Sequence, residues 1–220
     1  MFIKRRWVAV FTVGMVISFS AGARSSTVTL TTFETTGLSG WEEKSFKNQT
    51  RYQLIRQTGA LVLNAVAEAS ASVLYNKKEI SLLATPILNW SWRVEQTYGK
   101  INEQSKQGDD YPARIYVVAK TGPFPWNTLA LNYVWSSSSE KGQHWPNAYT
   151  EKAHMIVLRS GEEDTKQWVA EKRNIRQDFK TYFDKDIETI HGVAIMTDSD
   201  NTGKTGEAFY KDLYFTEEGS

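Results

Sequence analysis

Cysteine is absent from the 220 residues, which excludes a disulfide framework, a thiolate metal site and the lipidated cysteine of a lipoprotein. Long apolar runs are also lacking. The longest, Trp7 to Phe19, spans roughly 20 Å as a helix, short of the roughly 30 Å hydrocarbon core of a bilayer. A formal net charge of +1 gives no electrostatic pull toward nucleic acid. There is no internal repeat, heptad run, Ser-His-Asp arrangement, zinc motif or phosphate-binding glycine loop.

What is present begins with a leader. Lys4, Arg5 and Arg6 precede the apolar run, and Ala21-Gly22-Ala23 follows it, so residues 1–23 read as a cleaved secretory signal peptide. Cleavage removes three of the 26 basic residues and none of the 25 acidic ones, leaving a net charge of −2. The mature chain, residues 24–220, is expected in the periplasm or outside the cell, without stable membrane insertion, as one domain.

Short segments rich in Val, Ile, Thr, Tyr and Trp recur between turn residues: 27–33, 51–55, 60–66, 72–75, 87–95, 113–120, 129–136, 154–160, 168–173, 193–197 and 209–215. About eleven strands with little helix between them predict an all-β, antiparallel two-sheet sandwich rather than βαβ units. Ile175, Phe179, Tyr182 and Phe183 recur at helical spacing and predict one short helix over 175–183. Two long connections, 96–112 and 136–150, are candidate functional loops.

Thr31-Thr32-Phe33-Glu34 with Gly40-Trp41 at one end, and Phe209-Tyr210-Lys211-Asp212-Leu213 at the other, resemble the opening and closing strands of jelly-roll carbohydrate-binding modules, lectin-like or galactose-binding-like sandwiches. The resemblance implies that the two ends lie together and that Glu34 and Asp212 hold one structural Ca2+; the alternative is two ordinary surface carboxylates. The stretches Gly108-Asp109-Asp110-Tyr111-Pro112, Leu131-Asn132-Tyr133-Val134-Trp135, His154 to Gly161, Trp168 to Asn174 and Gly192 to Gly203 resemble a bacterial family of unknown function, numbered three-zero-four-seven. That resemblance implies class and compartment but no activity.

Strand alternation sorts the candidate site residues. Arg114, Arg159 and Arg173 sit opposite apolar stripes and, with Glu171, would form one face if their strands were neighbours, suited to the carboxylate or sulfate of an acidic sugar. An inter-strand ladder of Arg with Glu171 is the competing reading. Trp145 and Trp135, with Tyr133 third, are candidate stacking platforms for a sugar ring, while Trp41, Trp90 and Trp92 read as packing. Asp198-Ser199-Asp200-Asn201-Thr202-Gly203 starts like a calcium loop, but its twelfth position is Phe209, so an EF-hand is rejected. An Asx-rich turn or a ligand-contacting loop remains. Paired carboxylates at glycosidase spacing and lyase Arg/Gln-x-His/Tyr sets are not found. The residues therefore point to a glycan-binding protein using Asp110, Arg114, Tyr133, Trp135, His144, Trp145, Arg159, Glu171, Arg173, Asp198 and Asp200. A sandwich-fold hydrolase or lyase using Asp110, His144 or Glu171, and a periplasmic protein-interaction module, are the alternatives.

Overall fold

The structure, a computed structural model, describes residues 26–124 and 126–219; the expected leader lies outside them. The first half of the chain forms β1 (Thr27–Thr29), α1 (Phe33–Thr36), β2 (Trp41–Lys47), β3 (Arg51–Gln57), β4 (Ala60–Glu68), β5 (Ala71–Asn76), β6 (Ile80–Ser81), β7 (Ile87–Val94) and β8 (Ala113–Lys120). The second half forms β9 (Thr128–Ser136), β10 (His144–Asn147), β11 (Thr150–Ser160), β12 (Val169–Asn174), α2 (Ile175–Phe183), β13 (Thr189–Ile190), β14 (Gly192–Asp198) and β15 (Thr205–Thr216). Among the described residues no helix is long and apolar enough to cross a membrane.

Two large sheets face each other. One runs β12-β7-β15-β4-β3 with β1 beside β15, the other β10-β11-β9-β8-β14-β5-β2. The first and last strands pair, Thr27 opposite Thr216, as the terminal motifs predict. All large-sheet pairings are antiparallel, as expected of the two-sheet sandwich, except β11 with β9, which is parallel. Thr31 to Phe33, expected to extend the first strand, instead turns into α1.

The core forms where the inward sets of the two sheets meet. Ile115, Val117 and Ala119 from β8, Leu131, Tyr133 and Trp135 from β9, and Trp90 and Trp92 from β7 are buried in one cluster. Trp90 meets Trp92 edge-on at 5.5 Å and Tyr133 at 5.4 Å, and Trp92 meets Trp135 at 6.0 Å. These aromatic contacts add to area burial, which contributes about 25 cal/mol per Å² of apolar surface. The helix α2 closes one side. Asn174 caps it, its Oδ1 accepting from Gln177 N at 3.0 Å, Ile175 and Phe179 are buried, and Asp184 ends it in a left-handed conformation (φ 53°).

Tyr98, in the connection after β7, reaches the end of β14. It is 2% exposed, and its hydroxyl donates to Asp198 O at 2.7 Å. A Cβ on Gly206 would lie 1.9 Å from that hydroxyl oxygen. Gly206→Ala is therefore expected to lower stability by about 1–3 kcal/mol through overpacking, read from urea unfolding; unchanged stability would show that Tyr98 has room to move.

The edge strand β10 meets α2 through rings. His144 Nδ1 lies 3.0 Å from His154 Nε2, and Tyr182 stands 4.9 Å from His144 and 4.8 Å from His154. Burial, aided by the neighbouring His144, pushes His154 down to about 4. A folded-state pKa below the unfolded value of about 6.5 means the unfolded chain binds the proton more readily, so stability is complete above pH ~6.5 and drains away toward pH ~4. Wild type is expected to lose about 2 kcal/mol more than His154→Phe across that window. Parallel urea titrations of the two proteins measure it, and equal losses would contradict it.

Candidate functional site: a groove on the seven-stranded sheet

Residues alternating with the core set face away from the sandwich: Arg114, Tyr116 and Val118 on β8, Asn132 and Val134 on β9, Met196 and Asp198 on β14. The connection 96–112 folds over one end of this outer face. It is anchored by a second small core of Tyr111, Val134, Trp145, Met155 and Val157. Backbone bonds fix it further: Asp198 N donates to Tyr111 O at 3.2 Å, and Tyr111 N to Asp198 Oδ1 at 3.2 Å.

At the heart of that end lies Arg114, 3% exposed. Its Nη2 meets Asp198 Oδ2 at 3.1 Å and Asp109 Oδ1 at 3.4 Å and donates to Asp109 O at 2.6 Å. Its Nη1 donates to the Tyr116 hydroxyl at 2.8 Å, and the guanidinium sits 4.2 Å from the Tyr111 ring centroid. Asp110, fully buried, accepts from Thr202 N at 2.6 Å and Asn201 N at 3.1 Å. Carboxylate oxygens of Asp110, Asp198 and Asp200 lie within 4.8 Å of one another and could together hold a metal ion. Burial pushes the Asp198 carboxyl well above the usual range, repulsion from Asp110 and Asp109 adding to it, while Arg114 opposes the shift.

In front of this cluster a cavity of about 520 Å³ opens, lined among others by Asp109, Arg114, Asn132, Asn147, Tyr149 and Asp200. Asn132 is its most informative wall residue. It is 1% exposed, yet neither its Oδ1 nor its Nδ2 has a protein partner; Arg114 Nε is likewise unpartnered. Buried amides are nearly always satisfied, because an unpaired one costs about 1–3 kcal/mol. An amide offering one acceptor and two donors at a cavity wall matches the mixed donor and acceptor character of a sugar hydroxyl.

Four expected site residues, Asp110, Arg114, Asp198 and Asp200, meet at this end of the groove. Others do not. Tyr133 and Trp135 are fully buried in the main core, where the Tyr133 hydroxyl bonds Asp178 Oδ2 at 2.5 Å and Trp135 Nε1 donates to Gly161 O at 3.1 Å. Trp145 is packed in the small core at 7% exposure. None of the three presents a free ring face. The three-arginine face does not form: Arg159 pairs with Glu171 at 2.7 Å and Asp164 at 2.9 Å, Glu171 also accepts from Trp92 Nε1 at 3.3 Å, and Arg173 pairs with Asp178 at 2.5 Å. These pairs tie β11 to β12 and β12 to α2. His144 is engaged with His154 and Tyr182 as described.

Glu34 and Asp212 border one cavity, but Glu34 is taken by Arg56, at 3.2 and 3.1 Å to its two oxygens, and by Leu61 N at 2.7 Å. Asp212 lies 3.5 Å from Lys211 Nζ. Each carboxylate is held by a basic side chain, and among the described residues the two belong to no cluster of three or more metal-capable groups, so the expected Ca2+ ligand pair reads here as two ion pairs. Asn132, Tyr116, Asn147, Asp109 and Tyr149 are groove residues that sequence reasoning missed; Asn132 alone left a signal, as an amide inside the apolar strand Leu131 to Trp135.

A family model described as "Protein of unknown function (DUF3047)" matches residues 39–214, and no curated protein matches the chain. Among solved structures the chain is similar to a carbohydrate-binding module, TmCBM61, solved in complex with β-1,4-galactotriose: 15% identity, 84% of this chain and 94% of that one, TM-score 0.40. A family 30 carbohydrate-binding module of a Clostridium thermocellum cellulosomal cellulase matches at 9% identity over 82% and 93% of the two chains, TM-score 0.48. A family 11 xylanase from Neocallimastix patriciarum matches at 9% identity over 81% and 92%, TM-score 0.42. With 39–214 inside the family model, the chain belongs to the DUF3047 family.

Proposed function

We propose that this protein is a secreted or periplasmic glycan-binding protein whose ligand lies in the groove of the seven-stranded sheet. The observation that carries the reading is Asn132, a lining residue of that cavity whose buried amide has no protein partner for either polar atom, so that a small side-chain rotation would bring it to a ligand. Asn147, whose Nδ2 donates to both Asp109 carboxylate oxygens at 3.2 Å, and the exposed Tyr149 line the same cavity. The surplus of carboxylates around the single guanidinium of Arg114 disfavours the acidic sugar that the arginines suggested, so the groove suits a neutral glycan. As for catalysis, Asp110 is spent on the 201–202 backbone, Glu171 on Arg159 and Trp92, and His144 on His154, at separate places in the fold.

Calcium is the ion we assign to Asp110, Asp198 and Asp200, a hard oxygen set of the kind Ca2+ takes, where it would compete with Arg114 for Asp198 at 3.1 Å and with Lys47 for Asp200 at 3.9 Å. Binding to the folded state alone should add about 2.7 kcal/mol at a hundredfold excess over Kd. Calcium is expected to raise the melting temperature and a chelator to reverse it; a melting temperature indifferent to both would remove the ion from the site.

The binding reading is tested by Asn132→Leu on a glycan array, with product analysis of the incubated glycans. Wild type is expected to retain a neutral glycan without shortening it. The variant should lose at least tenfold in affinity while gaining about 1–3 kcal/mol of stability, since it removes an unsatisfied buried amide at nearly constant volume. Retention undiminished in the variant would place the site elsewhere. Shortened products would make the protein a hydrolase or lyase, and an array without any retained glycan would favour a protein partner.

A further inference from the structure

Beside the polar pocket the outer face continues into a second cavity of about 300 Å³, which shares Phe46 and Tyr116 with the first. Its floor is aliphatic, with Val73, Val118 and Ala194, and its walls are the rings of Phe46, Tyr75 and Tyr116. Phe46 is 60% exposed, with Lys44 Nζ 5.4 Å from its ring centroid, and together with Val73, Val118 and Ala194 it makes a contiguous apolar patch.

The two halves of the groove differ in what they leave unpaired. In the first, Asn132 and Arg114 Nε have no partner. In the second, the polar groups are already engaged. The Tyr75 hydroxyl donates to Glu42 Oε2 at 2.7 Å, and Lys77 Nζ pairs with the same carboxylate at 2.9 Å. The Tyr116 hydroxyl accepts from Arg114 at 2.8 Å, and His191 Nδ1 accepts from Lys120 N at 3.2 Å. Asn76 Nδ2 and His191 Nε2 remain as donors at the rim. A bare sugar unit placed there would surrender water contacts to several hydroxyls with little to replace them, which costs free energy. An alkyl or aryl group would lose nothing and bury its surface.

From this division we infer that the groove takes an amphiphilic glycan: a neutral sugar held at Asn132 whose apolar substituent, an acyl, alkyl or aryl group, lies in the trough over Val73 and Val118. The inference rests on the glycan reading of the same groove. It narrows the ligand class from saccharide to glycolipid-like or acylated saccharide.

The test compares methyl and n-octyl β-glycosides of glucose, galactose and mannose, the octyl compounds below their micellar concentration, by calorimetry on wild type, Val118→Lys and Asn132→Leu. The octyl glycoside of at least one sugar is expected to bind at least tenfold tighter than its methyl counterpart, about 1.4 kcal/mol, which burial of about two methylene groups supplies. Val118→Lys should cut that advantage to under about threefold and leave methyl glycoside binding unchanged, and Asn132→Leu should weaken both compounds. Equal affinity of methyl and octyl compounds, or an octyl advantage that survives Val118→Lys, overturns the trough assignment while leaving the glycan reading intact. Octyl binding indifferent to Asn132→Leu, or no binding of any glycoside, overturns both.

Discussion

The groove depends on one buried cation. Arg114 joins β8 to the end of β14 through Asp198, to the 96–112 connection through Asp109, and to its own strand through Tyr116. An ion pair in the interior costs several kcal/mol in desolvation for each charge, and that cost is offset when geometry is good and the remaining lone pairs are satisfied. Here Asp198 also takes the Tyr111 amide and Arg114 stacks on the Tyr111 ring, so the guanidinium is satisfied on most of its edge. Removing it would leave the buried carboxylates of Asp198 and Asp109 without their cation, which is costlier than losing a surface pair. The walls of the groove are thereby held in place by charge, whereas its floor is held by ordinary sheet packing.

How much of this the sequence shows depends on the physical range of each signal. Alternation is local, and it placed the strands 51–57, 60–68, 87–94, 113–120 and 128–136 and the helix α2 close to where they stand. The strand β2 was missed because Trp41-Glu42-Glu43-Lys44-Ser45-Phe46-Lys47 is an exposed edge with one buried residue, so no apolar stripe marks it. The strand β10 was missed because it holds Pro146, tolerated on an edge strand whose amide hydrogens need no partner.

Face assignments fared less well, for a specific reason. Alternation says which residues share a face of one strand but not which strands are neighbours or where a ladder slips. Between Val157 and Arg159 the β11–β9 register shifts, a bulge that re-aims the following side chain. Arg159 thus turns from the outer face, where parity put it, to the seam with Glu171. Arg173 lies in the opposite sheet altogether. Trp135 and Tyr133 look like platforms in composition, but they occupy inward positions of a central strand, where large aromatic area is worth more in the core than at the surface.

Unsatisfied buried polar atoms occur both in the cores, at Trp90 Nε1 and Trp145 Nε1, and on the groove face, at Asn132 and Arg114 Nε. Trp90 lies inside the main core, where no ligand reaches and where the indole ring's packing against Trp92 and Tyr133 offsets the loss. Asn132 has no such compensation. Its neighbours on the outer face are Val134, Tyr116 and Met155, and a leucine would pack there without any orphaned atom. On the proposed reading, a side chain that destabilises the free fold at a position where an apolar one would fit is accounted for by a ligand in the cavity that it lines. The same reasoning separates the two halves of the groove, since the trough over Val73 and Val118 has its hydroxyls already tied and asks of a ligand only surface.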